Sequence, residues 1–239
     1  MYKPIQKKRK ADEIAEQMEN SIVTGEIKVG ERFPYEKDLI KQFGASKATV
    51  RESLKILESK GLVEIRPGHN GGTYVKGGDF NKSSCVLAHY LRINNLKLSD
   101  LTRVRMIIEP AIIRESEGNF TAENIKKLRD INIKCRELMS KGKSIAVLEV
   151  EFHKALSTFV NNTLLTFLVE FIEDLLIKSK KEMSLPADFE EQVLTYHEKI
   201  VEYLEKGEIE NAAQTMFFHV RDVGAVMEKY KENEETGVK

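Results

Sequence analysis

Cysteine is scarce in this 239-residue chain, which holds only Cys85 and Cys135. Two thiols make no disulfide framework, and no Cys-x-x-Cys spacing occurs. A thiolate zinc finger is therefore excluded, and a reducing, cytoplasmic setting is expected. No run of about 18 apolar residues exists, so no membrane-spanning helix is expected. The opening MYKPIQKKRKADE has no apolar stretch behind its basic residues, and no secretory signal is expected there. An overall charge of either sign is also lacking, because 38 Lys+Arg balance 38 Asp+Glu. What is present is apolar material, at 41% of residues, and length enough for two domains.

The charge balance hides a polarity. Residues 1–76 hold 15 Lys+Arg against 11 Asp+Glu, whereas residues 77–239 hold 23 against 27. A basic first third on an acidic remainder points to a polyanion-binding module joined to something else.

The hydrophobic pattern divides at the same place. Ala11, Ile14, Ala15, Met18 and Ile22 predict a helix over 11–25 that Gly25 stops. A second helix over 36–43 buries Leu39, Ile40 and Phe43, with Gly44 as its C′ residue. Ser46 caps a third helix that runs to about Lys60, with Val50, Leu54 and Leu57 inward. After Gly61 the period changes from 3.6 to 2. Val63 and Ile65 alternate with Glu64 and Arg66, a Pro67–Gly72 tip follows, and Thr73-Tyr74-Val75 returns as a β-hairpin. The polar segment 77–85 reads as a linker. From there to residue 230 only helical periodicity occurs, near 84–93, 98–117, 121–140, 144–160, 163–183, 187–206 and 208–230. Pro110 should kink or split the second of these helices. The tail 231–239 reads as frayed. The expected fold is mostly α: a winged helix-turn-helix over 1–76, then an all-α bundle over 86–230.

Two short helices joined by Phe43-Gly44-Ala45 form a helix-turn-helix, and the hairpin behind them forms a wing. The exposed first turn of the third helix, Ser46-Lys47-Ala48-Thr49 with Arg51 one turn on, is small, polar and cationic. Its helix dipole and free N–H groups favour a phosphate, and an arginine can grip guanine O6 and N7 together. Arg66, Gly68 and His69 at the wing are within reach of phosphate or the minor groove. The same architecture also serves protein–protein contacts, and surface Lys and Arg are commonly just solvated.

The segment GEIKVGERFPYEKDLIKQFGASKATVRESLKILESKGLVEIRPGHNGGTYV resembles the winged helix-turn-helix of the GntR family of bacterial transcription regulators. The match runs through Pro34-x-Glu36-x-x-Leu39, Gly44, Ser46, Thr49-Val50-Arg51-Glu52, Leu54, Leu57, Gly61-Leu62 and the Gly-rich wing. The resemblance implies a homodimer on a pseudo-palindromic double-stranded DNA operator. By position it implies DNA contacts from Lys37, Ser46, Lys47, Thr49, Arg51 and Gly68. Lys37 and Lys47 stand where arginine is commoner. A point charge replaces a bidentate fork there, so base discrimination is expected to be looser.

Only five histidines occur, and three of them fall on apolar stripes of separate predicted helices. His153 shares a stripe with Leu156 and Val160, His197 lies among Val193, Ile200 and Leu204, and His219 among Ala212, Met216 and Val223. Glu149 precedes His153 by four residues, on the same helix face. Three inward imidazoles and a carboxylate can converge on a divalent ion such as Zn²⁺, Ni²⁺, Mn²⁺ or Fe²⁺, leaving positions for a chelating ligand. Each can equally be a hydrogen-bonded core histidine.

This half resembles the FCD ligand-binding domain of the FadR subfamily. The resemblance rests on Leu101-x-x-Val104-Arg105-x-x-Ile108-Glu109, Glu149-x-x-Phe152-His153, Asn162, His197 and His219. It implies a divalent metal held by Glu149, His153, His197 and His219. A small organic acid is implied beside the metal, with Arg105 pairing the effector carboxylate and Asn162 nearby. Glutamate at 149 departs from the usual aspartate. Members that accept an acyl chain lack the full histidine set present here.

Elsewhere, Cys135, Met183 and Met216 read as packing residues, and Lys178-Ser179-Lys180-Lys181-Glu182 as a solvated helix end. Three functions compete. A ligand-responsive regulator links effector and DNA binding reciprocally. A metalloenzyme could use the winged helix as a scaffold, but no separate acid, base or nucleophile constellation appears. A purely structural interaction protein leaves both the cationic helix start and the inward histidines unexplained.

Overall fold

The computed structural model describes residues 9–68, 71–77, 80–183, 185–186 and 188–236. His69, expected at the wing, lies outside them. The chain separates into two compact units that divide after His89.

In the first unit, helices α1 (Lys10–Val23), α2 (Glu36–Phe43) and α3 (Lys47–Ser59) precede strands β1 (Val63–Arg66) and β2 (Gly72–Val75). Ile14, Met18, Leu39, Val50, Leu54 and Leu57 form one buried core. Gly44 closes α2 at φ 52°, the left-handed conformation that turns the chain toward α3. The Ser46 Oγ accepts from the Thr49 N–H at 3.1 Å, so the expected N-cap is in place. Ser53 Oγ donates to the Ala11 carbonyl at 2.9 Å and ties α3 to α1. The hairpin pairs Val63 with Val75 and Arg66 with Gly72. Residues 30–33 lie along β2 as a third, short partner, with the Phe33 N–H donating to the Thr73 carbonyl at 2.8 Å.

The helix α4 (Phe80–Ile93) starts four residues earlier than its periodicity suggests and crosses the division between the units. Among its described residues the second unit consists of helices joined by turns and loops, without a strand: α5 (Leu98–Glu115), α6 (Ala122–Ser140), α7 (Ala146–Ser157), α8 (Thr163–Glu182), α9 (Phe189–Glu205) and α10 (Ile209–Thr236). Its core joins Leu128, Phe152, Leu156, Leu194, Ile200 and Met216. Two expectations need correction. Pro110 does not split α5, which runs unbroken through it. The long packing of α5 against α10 outweighs the loss of one internal hydrogen bond. The helix α10 also continues into the segment read as a frayed tail, as far as Thr236.

The α5–α10 contact is close because α10 has a glycine there. A Cβ at Gly224 would stand 2.4 Å from the Thr102 Cγ2. Gly224→Val is expected to destabilise the helical unit by about 1–3 kcal/mol, read as a lower urea midpoint.

Candidate metal centre and DNA-reading face

The three inward histidines meet. His153 comes from α7, His197 from α9 and His219 from α10, and all three are fully buried. Their Nε2 atoms form a triangle with sides of 3.1, 3.2 and 3.3 Å. Nitrogens that share an ion at about 2.0–2.1 Å stand roughly 2.8–3.4 Å apart, from octahedral to tetrahedral geometry. Hydrogen bonding alone fits this triangle poorly. His153 Nδ1 lies 2.5 Å from the Glu109 Oε2, and each ring's Nε2 carries either a proton or a lone pair, never both. At most two edges of the triangle can then carry a proton. A cation between the rings satisfies all three.

The electrostatics point the same way. Burial first, then the neighbouring imidazoles with Arg105 and Lys180, hold the pKa of both His197 and His219 well below the usual imidazole range. Both rings are therefore neutral, as metal ligands must be. Phe152 stacks on His197 with centroids 3.9 Å apart and fixes that ring's plane. The Nδ1 atoms of His197 and His219 find no hydrogen-bond partner among the described residues.

A ring of charge surrounds the imidazoles. Arg105 on α5 is buried, and its Nε donates to the Glu109 Oε1 at 2.5 Å. Its Nη2 lies 2.9 Å from the Glu173 Oε1 on α8 and 3.2 Å from the His153 Nε2. Burial acts to raise the pKa of Glu109, but Arg105 and His153 outweigh it and hold the carboxyl at about 2. Neither oxygen of Glu173 has a hydrogen bond with sound geometry, although the side chain is fully buried. Among the described residues, the buried carboxylates Glu109, Glu149 and Glu173 lie with the buried cationic side chains Arg105 and Lys180 and with the His153 imidazole. A buried set this rich in carboxylates and imidazoles offers a cation both charge and donor atoms. The donor set thus fits a metal ion.

Glu109 is the outer partner that orients His153. Glu109→Gln weakens this restraint and is expected to lower metal affinity about 10- to 100-fold, measured by competition with a chromophoric chelator.

On the first unit, Ser46, Lys47 and Arg51 are exposed at the start of α3, and Thr49 is half-buried. The Ser46 and Thr49 hydroxyls lie 2.8 Å apart. Arg51 Nε donates to both Glu36 carboxylate oxygens at 3.0 Å, which steadies the guanidinium. Lys37 is exposed, with its Nζ 5.5 Å from the Tyr35 ring centroid. Arg66, at the end of β1, lies over the Tyr74 ring at 4.5 Å. Gly68 is exposed at the wing tip with φ 102°.

Comparison with known proteins decides what this pairing of units is. Residues 10–75 match the family model described as bacterial regulatory proteins, gntR family, and residues 100–222 match the FCD domain. The chain belongs to the GntR family and carries an FCD domain. It is a DNA-binding transcription regulator with a ligand-binding domain, not an enzyme. It is 26% identical over 216 residues to the HTH-type transcriptional regulator LutR of Bacillus subtilis, covering 88% of this chain and 98% of that one. It is 24% identical over 228 residues to the HTH-type transcriptional repressor NanR of Escherichia coli, covering 93% and 86%. The solved structure of Streptococcus agalactiae GntR shares its fold, with a TM-score of 0.68 at 20% identity over 90% of this chain and 99% of that one. FCD domains are often metal-binding, and the GntR chain described here has a histidine group able to hold an ion. No helix among the described residues is long and apolar enough to cross a membrane.

Within this FCD domain, His153, His197 and His219 come together as the resemblance implies, but two other residues do not join them. The Glu149 carboxylate is buried and accepts from the Lys180 ammonium, outside the group of converging imidazole nitrogens. Asn162 is exposed and caps α8, its Oδ1 accepting from the Leu164 and Leu165 N–H groups at 3.1 and 3.2 Å. In this structure its side chain serves the helix start.

Lys180 corrects the reading of 178–182 as a solvated end. It is 5% exposed, on the stripe of α8 that also carries Val169, Ile172, Glu173 and Leu176. Glu173 was missed for a related reason, since an acid on an apolar stripe is readily passed over as surface. Its spacing from Val169 and Leu176 is the signal that could have found it. Cys135 is buried in the core, and burial first, then nearby carboxylates, push its thiol up to about 12.

Proposed function

We propose that this regulator senses a small organic acid at a divalent metal centre and transmits its binding to an operator. In this reading His153, His197 and His219 hold the ion, with Zn²⁺, Ni²⁺, Mn²⁺ and Fe²⁺ all suited to neutral imidazoles. The observation that carries it is the Nε2 triangle of 3.1–3.3 Å sides, built from three fully buried imidazoles. When bound, the ion offers open positions to a carboxylate or hydroxyl oxygen. Glu109 holds the His153 proton at Nδ1. Arg105 presents its Nη2 edge to the effector carboxylate, supported by its 3.2 Å approach to His153.

At the other end, Ser46, Lys47, Thr49 and Arg51 read or grip the major groove, with Lys37, Arg66 and Gly68 on flanking phosphates. A homodimer on a pseudo-palindromic operator in the cytoplasm completes the proposal. Exposed Val104 and Ile107, neighbours on one face of α5, supply apolar surface for a second copy. Effector binding favours one spacing of the paired winged helices, and the linkage is reciprocal.

The test is a fluorescence titration of the metal-loaded protein against a duplex that it selects from a random library. Small mono-, di- and tricarboxylic acids are added in turn. At least one acid is expected to change affinity by about 5- to 150-fold. Indifference to every acid, with metal bound, would reject the sensor role.

A further inference from the structure

The acid four residues before the first histidine is the ligand that the family resemblance offers to the metal, yet here it has another partner. Glu149 is 1% exposed and Lys180 is 5% exposed, and the ammonium donates directly to the Glu149 Oε1. The three Nε2 atoms gather without this carboxylate, although Glu149 lies one helical turn from His153 on α7. A lysine at 180 therefore changes what a glutamate at 149 can do.

We propose that in this chain the ion rests on the three imidazoles while Lys180 keeps Glu149 off it, so that Lys180 sets the strength of the metal site. The inference rests on the metal reading above and departs from the ligand set implied by the family. A buried carboxylate held by an ammonium through one oxygen has that oxygen engaged and its charge compensated. It joins the metal only by breaking a buried ion pair, and breaking one partner from another inside a protein is costly. Removing the ammonium takes that obstacle away. The freed carboxylate, one helical turn from His153 on α7, is then expected to turn toward the metal between the imidazoles.

The experiment compares wild type, Lys180→Met and the double variant Glu149→Gln/Lys180→Met, each full length, stripped and then titrated with Co²⁺. The double variant removes both members of the pair together. It leaves no stranded buried charge, and such replacements are commonly tolerated. The double variant is expected to keep one ion per chain, with affinity within about threefold of wild type and an unchanged visible Co²⁺ spectrum. Lys180→Met is expected to bind about 10-fold tighter or more, with altered ligand-field bands as a carboxylate enters the coordination sphere. Tighter binding with an unaltered spectrum would mean that Lys180 acts only by its charge, and would overturn the proposal. A double variant that loses the ion while folded by circular dichroism would make Glu149 a ligand in the native protein, and would overturn it too. If wild type itself takes up neither Co²⁺ nor Zn²⁺, the metal reading falls together with this inference.

Discussion

His197→Ala protein is expected to leave purification with little metal where wild type carries roughly one ion per chain. One of three converging nitrogens is lost, and affinity should fall at least about 100-fold, beyond the usual effect of changing an outer partner. His197 is the sharpest choice of the three. His153 is also bonded to Glu109 and Arg105, so its removal disturbs charged neighbours. The contacts of His197 outside the triangle are mainly packing, above all the stacked Phe152 ring. The variant leaves a cavity there, so a far-ultraviolet circular dichroism spectrum must first establish that the helical unit remains folded. Elemental analysis then reads the metal directly. DNA affinity in the absence of effector should change little, whereas the response to any active acid should vanish. Equal metal in mutant and wild type would remove His197 from the site.

Arg51→Ala should weaken binding to the selected operator by about 1–3 kcal/mol, or roughly 5- to 150-fold. The argument is geometric. Arg51 stands one turn into α3, exposed, and Glu36 engages its Nε with both oxygens at 3.0 Å. That grip leaves the two Nη groups for the paired acceptors of a guanine edge and reduces the ordering needed on docking. The loss should be confined to the operator, with little change on random duplex. Lys47→Ala provides the contrast. A phosphate-binding lysine should weaken binding to all sequences alike and reduce the slope of log affinity against log salt by about 1. A gel-shift titration in which Arg51→Ala binds its operator as wild type does would refute the assigned role.

Much of the fold was legible because each element carries its own signal. Gly44, the Ser46 cap and the stripe Val50-Leu54-Leu57 define α3 without tertiary information. The change from a period of 3.6 to 2 after Gly61 marks the hairpin. The histidines were legible because each occupies a position where the helical repeat demands an apolar residue. Their convergence was a matter of which helices meet, and periodicity does not encode that. The charged ring was harder to see. Glu173 and Lys180 are polar residues on an otherwise apolar stripe of α8, and Lys180 sits in a run of like charges that resembles a solvated end. Only packing reveals that each has a buried opposite charge to face. Asn162 is a different case. A polar residue inside a recognised signature is exposed here and serves α8 as its cap.

The most direct test of the sensor centre is anomalous X-ray scattering from crystals of the metal-loaded protein, collected on either side of the metal's absorption edge. The account predicts one strong peak per chain, about 2.0–2.3 Å from the Nε2 atoms of His153, His197 and His219 together. A loaded protein with its metal elsewhere, or with those three imidazoles turned apart, would contradict it.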